Sequence, residues 1–183
     1  MMLKNTMTSY GALAKSLHWL MAVLFLGMFT VAYIMINLGK SDFRYSLYDL
    51  HKATGLLLFA LVSIRLMWRL VNVEPPLPRT MPLWQRRAAH LNIILLYVLM
   101  FVMPITGFLT STLGGHDVTF YHLFTISALA DNKEASEFFS YAHEIFSILL
   151  IVSFTLHVTA ALYHHYFLKD NVLRRMAFNA KVK

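Results

Sequence analysis

The stretch AHEIFSILLIVSFTLHVTAALYHHY, residues 142 to 166, places His143, His157, His164 and His165 in a run otherwise built for hydrocarbon. An imidazole in lipid leaves its polar nitrogens without water, a cost that only a bound or hydrogen-bonded partner removes. His143 and His157 stand 14 residues apart, which is four helical turns to within about 40° and about 21 Å of axial rise. They share a face, yet no single ion spans that distance. Two stacked cofactors, one in each leaflet, fit it better. Iron held between two imidazoles needs one on each side, so each of these histidines requires a partner at its own depth on another helix. His51 falls at the depth of His143, and His18 at that of His157. Arg65 follows His51 by another 14 residues, on the same helix face and level with the second pair. There it can meet an acidic cofactor group such as a haem propionate, or snorkel to the interface. Two other readings of the histidines stay open on spacing alone: a proton or metal pathway, and structural hydrogen bonding. Zinc fits less well, because it wants three or four ligands converging on one point.

These positions need long helices to hold them. Of 183 residues, 58% are hydrophobic and only 14% charged, against about 25% charged in a soluble domain. Four apolar stretches, at 16–38, 48–71, 84–112 and 139–168, are each long enough to cross a bilayer core of about 30 Å. The expected fold is all-α, an integral membrane four-helix bundle forming one domain over 1–183. The first stretch follows Lys4 and Lys15 like a signal peptide but is too long and lacks a small-residue cleavage pattern, so it reads as a retained helix. There is no cysteine, which removes disulfides, thiolate metal sites, iron–sulfur clusters and thiol catalysis.

The net charge of +7 reads as basic loops on one side of a membrane rather than as a nucleic-acid surface. Lys4 and Lys15 precede the first helix. Arg69, Arg79, Arg86 and Arg87 surround the second connection, and Lys169, Arg174, Arg175, Lys181 and Lys183 follow the last helix. The opposite loops, 40–49 and 113–137, are mixed or acidic. Both termini are therefore expected on the cytoplasmic side of a multi-pass protein. Glu74-Pro75-Pro76-Leu77-Pro78 cannot be helical throughout, and Pro104 with Gly107 predicts a kink in the third helix.

At this point a resemblance is legible. KSLHWL, LHKATGLLLFALVSIRLMWR, AAHLNIILLYVLMFVMPITGFL and AHEIFSILLIVSFTLHVTAALYHHYFLKDNVLRRM together resemble the bacterial cytochrome b561 family, related to the cytochrome b subunits of formate dehydrogenase and nickel–iron hydrogenase. The match runs over nearly the whole chain, and its last string is the most specific. The resemblance implies two haem b groups in a bacterial inner membrane, His51 with His143 holding the outer one and His18 with His157 the inner one. It also implies transmembrane electron transfer. Some relatives oxidise superoxide outside and reduce ubiquinone near the inner haem, while others carry electrons between a redox protein partner and quinone.

The remaining residues are placed against that frame. His164, near the inner surface, is positioned to hydrogen-bond a quinone carbonyl and donate a proton, supplied from water through Lys169 and Asp170. It also reads, with His165, Tyr163 and Tyr166, as an interfacial anchor. His90 is a second candidate for the quinone site, for a propionate contact or for an alternative ligand. Lys52, Lys40 and Arg44 lie where a small anion such as superoxide would be steered inward, or are ordinary loop charges. His116 and His122 are expected in an exposed loop. Gly55 and Gly107 are expected to let a macrocycle approach a helix backbone, or to serve helix packing.

Overall fold

The computed structural model describes residues 2–78 and 80–178; Arg79, Lys181 and Lys183 lie outside the described residues. Among the described residues four helices are long and apolar enough to cross a membrane: α1 (Ala12–Asn37), α2 (Asp42–Leu70), α3 (Leu83–Leu113) and α4 (Lys133–Tyr166). They extend beyond the apolar stretches because caps lie in the flanking polar sequence. The Ser41 hydroxyl accepts from the Arg44 amide at 3.2 Å, and the Asn132 side chain accepts from the Ala135 amide at 3.0 Å. Each satisfies a donor that a helix start leaves orphaned. With 34 residues, α4 is about 51 Å long and outreaches the hydrocarbon. The helix α3 continues through Pro104, so the proline does not divide it.

The helices pack in chain order, α1 on α2, α2 on α3 and α3 on α4, whereas α4 meets α1 and α2 through side chains without close backbone approach. Met21, Phe25, Leu58, Val62, Leu99 and Leu150, drawn from all four helices, form the buried core. Outside it, large apolar side chains such as Val23, Leu91 and Leu156 stay exposed, as lipid-facing residues do.

One end of the bundle carries a feature expected only as a connection. Strands β1 (Val118–Phe120) and β2 (Phe124–Ile126) form a small antiparallel hairpin, whose three-residue strands are too short to display an alternating pattern. Its turn holds Tyr121 and His122 at φ 44° and 60°, a backbone region rarely used by residues other than glycine. The turn is tied down: the Thr54 hydroxyl donates to the Leu50 carbonyl at 2.7 Å, leaving the Tyr121 hydroxyl to donate to Thr54 at 2.8 Å. We call this the hairpin end. At the opposite, terminal end three segments are knit together. The Asn5 amide donates to the Val73 carbonyl at 2.9 Å, Tyr10 N–H to the Arg175 carbonyl at 3.3 Å, and Trp19 Nε1–H to the Met176 carbonyl at 3.0 Å. The N-terminal segment, the proline-rich connection and the C-terminal segment thus share one end, with Lys4, Lys15, Arg69, Arg86, Arg87, Lys169, Arg174 and Arg175 in or beside them.

Candidate functional site

Two pairs of imidazoles face each other across the bundle. At the hairpin end, His51 of α2 and His143 of α4 have ring centroids 6.3 Å apart at 78°. Nearer the terminal end, His18 of α1 and His157 of α4 are 6.1 Å apart at 66°. These separations have a simple chemical meaning. Metal–imidazole bonds of roughly 2 Å on opposite sides of one ion, plus roughly 1.1 Å from each nitrogen to its ring centre, sum to roughly 6.2 Å between centroids. Each pair therefore has the spacing of two trans ligands. Among the described residues no three His, Cys, Asp or Glu side chains converge to hold a metal, so a protein-only zinc cage is not built. An ion held at either pair would need further ligands, which a planar macrocycle would supply.

The hairpin-end pair is oriented by α3. His143 Nδ1 lies 3.0 Å from the Met103 carbonyl oxygen, which only accepts, so Nδ1 carries the hydrogen. The same N–H also reaches the Thr106 hydroxyl at 3.1 Å, whose own hydrogen goes to the backbone carbonyls of Val102 and Met103. This fixes the tautomer and leaves Nε2 with its lone pair, the arrangement that metal-bound imidazoles use. Gly107 makes the approach possible: a Cβ there would stand 2.9 Å from His143 Cε1. The group that needs this glycine is thus the imidazole itself. At Gly55 an added Cβ would meet nothing within 4 Å, so packing against protein does not explain that glycine. Across the pair, the buried Nδ1 of His51 has no hydrogen-bond partner among the described residues.

The other pair is held differently. Ser153, one turn before His157 and 1% exposed, donates to Asn92 Oδ1 at 2.7 Å, while the Asn92 amide donates to the Ser153 carbonyl at 3.2 Å. This reciprocal link ties α3 to α4 beside the second pair. Arg65 stands at the same level, near enough to both His18 and His157 to act on them electrostatically. Its Nε donates to the Tyr97 hydroxyl at 3.2 Å, but its buried Nη1 has no partner among the described residues. A half-buried guanidinium with a donor left over suits an acidic group between the helices. Arg69 lies over the Tyr97 ring and binds Glu74, with Nη2 to Oε2 at 2.7 Å. Close by, burial first and the Glu74 carboxylate second push the Tyr10 phenol above its ordinary pKa, which keeps it neutral.

Other sequence-singled residues are placed less centrally. His164 is 9% exposed, and its Nδ1 is 2.5 Å from Asp170 Oδ2. Asp170 Oδ1 in turn accepts from the Val172 amide at 2.9 Å. Lys169 is exposed. His90 is exposed on α3, two residues before Asn92. His116 and His122 are exposed at the hairpin end. Lys52 is committed to Asp49 at 2.8 Å and to the Asp117 carbonyl at 3.2 Å, and Arg44 leans over Tyr48. Sequence reading passed over Thr106, Asn92, Ser153 and Tyr97. The signal available for them was polarity inside an apolar run, which does not tell a self-satisfied hydroxyl from one that orients a ligand.

Comparison with known proteins agrees with this geometry. A family model described as prokaryotic cytochrome b561 matches residues 9–179. Cytochrome b561 homolog 2 of Escherichia coli (strain K12) is 35% identical over 175 residues, covering 94% of this chain and 93% of that one. Cytochrome b561 homolog 1 of the same organism is 28% identical, covering 87% and 92%. A protein of Yersinia pestis named probable superoxide oxidase CybB is 26% identical, covering 91% and 94%. With four membrane-spanning helices and facing imidazoles on α4, the chain belongs to the prokaryotic cytochrome b561 family, a multi-pass bacterial membrane cytochrome that uses haem b to move electrons across the bilayer.

Proposed function

We propose that the bundle carries two haem b groups, one between His51 and His143 and one between His18 and His157, and passes electrons from superoxide at the hairpin end to ubiquinone at the terminal end. The observation that carries this reading is the repetition of one geometry at two depths of α4, 6.3 Å between imidazoles at one pair and 6.1 Å at the other. Haem b, held by these imidazoles, would supply one-electron chemistry, and two histidines at each site would favour electron transfer over oxygen binding.

The protein's own residues have three tasks. The Met103 carbonyl and Thr106 fix the His143 ring and its tautomer. Arg65 offers a cation to a propionate beside the second pair. The core of Phe25, Leu58, Val62 and Leu150 keeps water from the path between the pairs. Two superoxide ions each lose one electron to become dioxygen, and one quinone takes those two electrons and two protons to become quinol. His164, held by Asp170 and near the membrane surface, supplies a proton at the quinone oxygen, and Asp170 returns it from water. The cations gathered at the terminal end support placing that end, with both termini, in the cytoplasm of a bacterial inner membrane. The hairpin tied onto α2 just past His51 supports a small reductant, since it covers the surface on which a large partner would rest. His90, exposed on α3, contributes least to the quinone assignment.

A second reading has its own observation. Lys52 is paired with Asp49, which weakens its pull on a free anion. This favours a redox protein as donor, docked at the hairpin end, with the bundle as its electron-transfer subunit. The test is a superoxide pulse on oxidised, purified protein, followed at the haem α-band with and without dismutase and then with ubiquinone. Dismutase-sensitive reduction followed by reoxidation by quinone supports the first reading. No reduction by superoxide, with full reduction by dithionite, rejects it in favour of the second.

A further inference from the structure

The segment before α1 folds back over the helix start and forms a half-open hollow with it. The Ala12 amide donates to the Met2 carbonyl at 2.9 Å, the Gly11 amide to Asn5 Oδ1 at 2.9 Å, and the Ser9 amide to the Thr6 hydroxyl at 3.0 Å. The crossing is tight enough that a Cβ on Gly11 would overlap the Leu3 carbonyl. The hollow has a volume of about 250 Å³ and is lined by residues including Lys4, Thr6, Ser9, Tyr10, Gly11 and Lys15. A single water needs only about 10–15 Å³, so the hollow takes a larger group.

Its electrostatics are one-sided. Lys15 is 5% exposed, and its side chain makes no hydrogen bond or ion pair with any described residue. Helical side chains lean toward the helix N-terminus, which carries this ammonium away from His18 and into the hollow. No side chain caps the first turn of α1 and no acid lies in it, so the positive end of the helix adds to the same field. Lys4 is a second cation on the wall. No acid lies among the lining side chains; the one carboxylate that acts on a lining residue is Glu74, felt by Tyr10 and itself paired with Arg69. The Lys15 side chain is almost wholly covered and none of the lining side chains supplies it a counter-ion, so an anion in the hollow is favoured.

We propose that this hollow binds a phosphate-group anion, with Lys15 as its counter-ion and Lys4 at its mouth. An anionic phospholipid headgroup in the leaflet beside the terminal end is one source of that chemistry, and free phosphate is the other. The site is independent of the electron donor and of the quinone.

The test uses the haem-loaded protein in detergent. Native mass spectrometry is run with dioleoylphosphatidylglycerol, with dioleoylphosphatidylcholine and with inorganic phosphate, on wild type and on Lys15→Gln. The expected result is one phosphatidylglycerol per chain, a loss of affinity of at least tenfold in the variant, and competition by inorganic phosphate. Saturable phosphate binding that is lost in Lys15→Gln, without lipid retention, assigns the site to free phosphate and upholds the anion site. Equal binding by wild type and variant in both arms overturns it. So does a variant that binds normally but shifts a haem midpoint potential, since Lys15 then serves a propionate. As a readout that needs no variant, acetylation of Lys15 in the wild type should slow at least threefold with phosphatidylglycerol or phosphate. An unchanged rate with both overturns the proposal.

Discussion

His143 donates its Nδ1 hydrogen to the Met103 carbonyl at 3.0 Å, across a gap that Gly107 keeps open. One helix thus sets the tautomer of an imidazole on another and leaves its Nε2 free, with the His51 ring centre 6.3 Å from its own. Gly107→Ala should push the His143 ring out of this position. The expected outcome is a fall in bound haem from about two to about one per chain, with the second pair unaffected. Haem content by pyridine haemochrome assay checks it, and full occupancy in the variant would show that the ring has room to move.

The two pairs should be separable. His51→Ala and His143→Ala should remove the same spectral component, and His18→Ala and His157→Ala the other, each leaving about one haem per chain. Low-temperature α-band spectra resolve the components. If His51→Ala and His18→Ala were to delete the same one, the pairing by depth would be wrong.

Arg65 should act on potential rather than on binding. A cation near iron favours the form with one more electron, so Arg65→Gln should lower one midpoint potential. A shift of roughly 60 mV corresponds to tenfold in a one-electron equilibrium. The other potential should stay unchanged, because about 21 Å of axial rise separates the two sites. Redox titration decides it, and equal shifts of both potentials would count against a local contact.

The His164–Asp170 contact is expected to matter for protons. Asp170→Ala removes the acceptor that orients His164 and should slow quinol formation about tenfold, within the range general acid catalysis contributes. Reduction of the haems from the hairpin end should not change. Stopped-flow traces with and without ubiquinone distinguish the two steps. Equal rates in variant and wild type would return His164 to the role of an interfacial anchor.

Much of this protein was written along the chain. A bilayer imposes a length and an apolar surface on each span, so four helices can be read from hydropathy alone. The helical rise turns residue number into depth, which is why the interval from His143 to His157, and the matching depths of His51 and His18, anticipate which imidazoles the fold brings face to face. Where three basic clusters gather follows from the even number of crossings.

What the chain did not reveal depends on contacts between elements distant in sequence, or too short to carry a period. The hairpin at 118–126 has too few residues to alternate, and its turn is held by Thr54, 67 positions away from Tyr121. Gly107 read as room for a macrocycle or as a helix-packing residue, and the fold shows the neighbour it makes room for, the His143 ring. Lys52 read as a steering charge or an ordinary loop charge, and only the fold places Asp49 and the Asp117 carbonyl beside it. Lys15 read only as a topogenic charge until residues 2–11 folded over it. Depth along an axis is a property of one helix and is fixed by sequence. Rotation about that axis, and what each side chain meets across the gap, are settled only when all four helices pack.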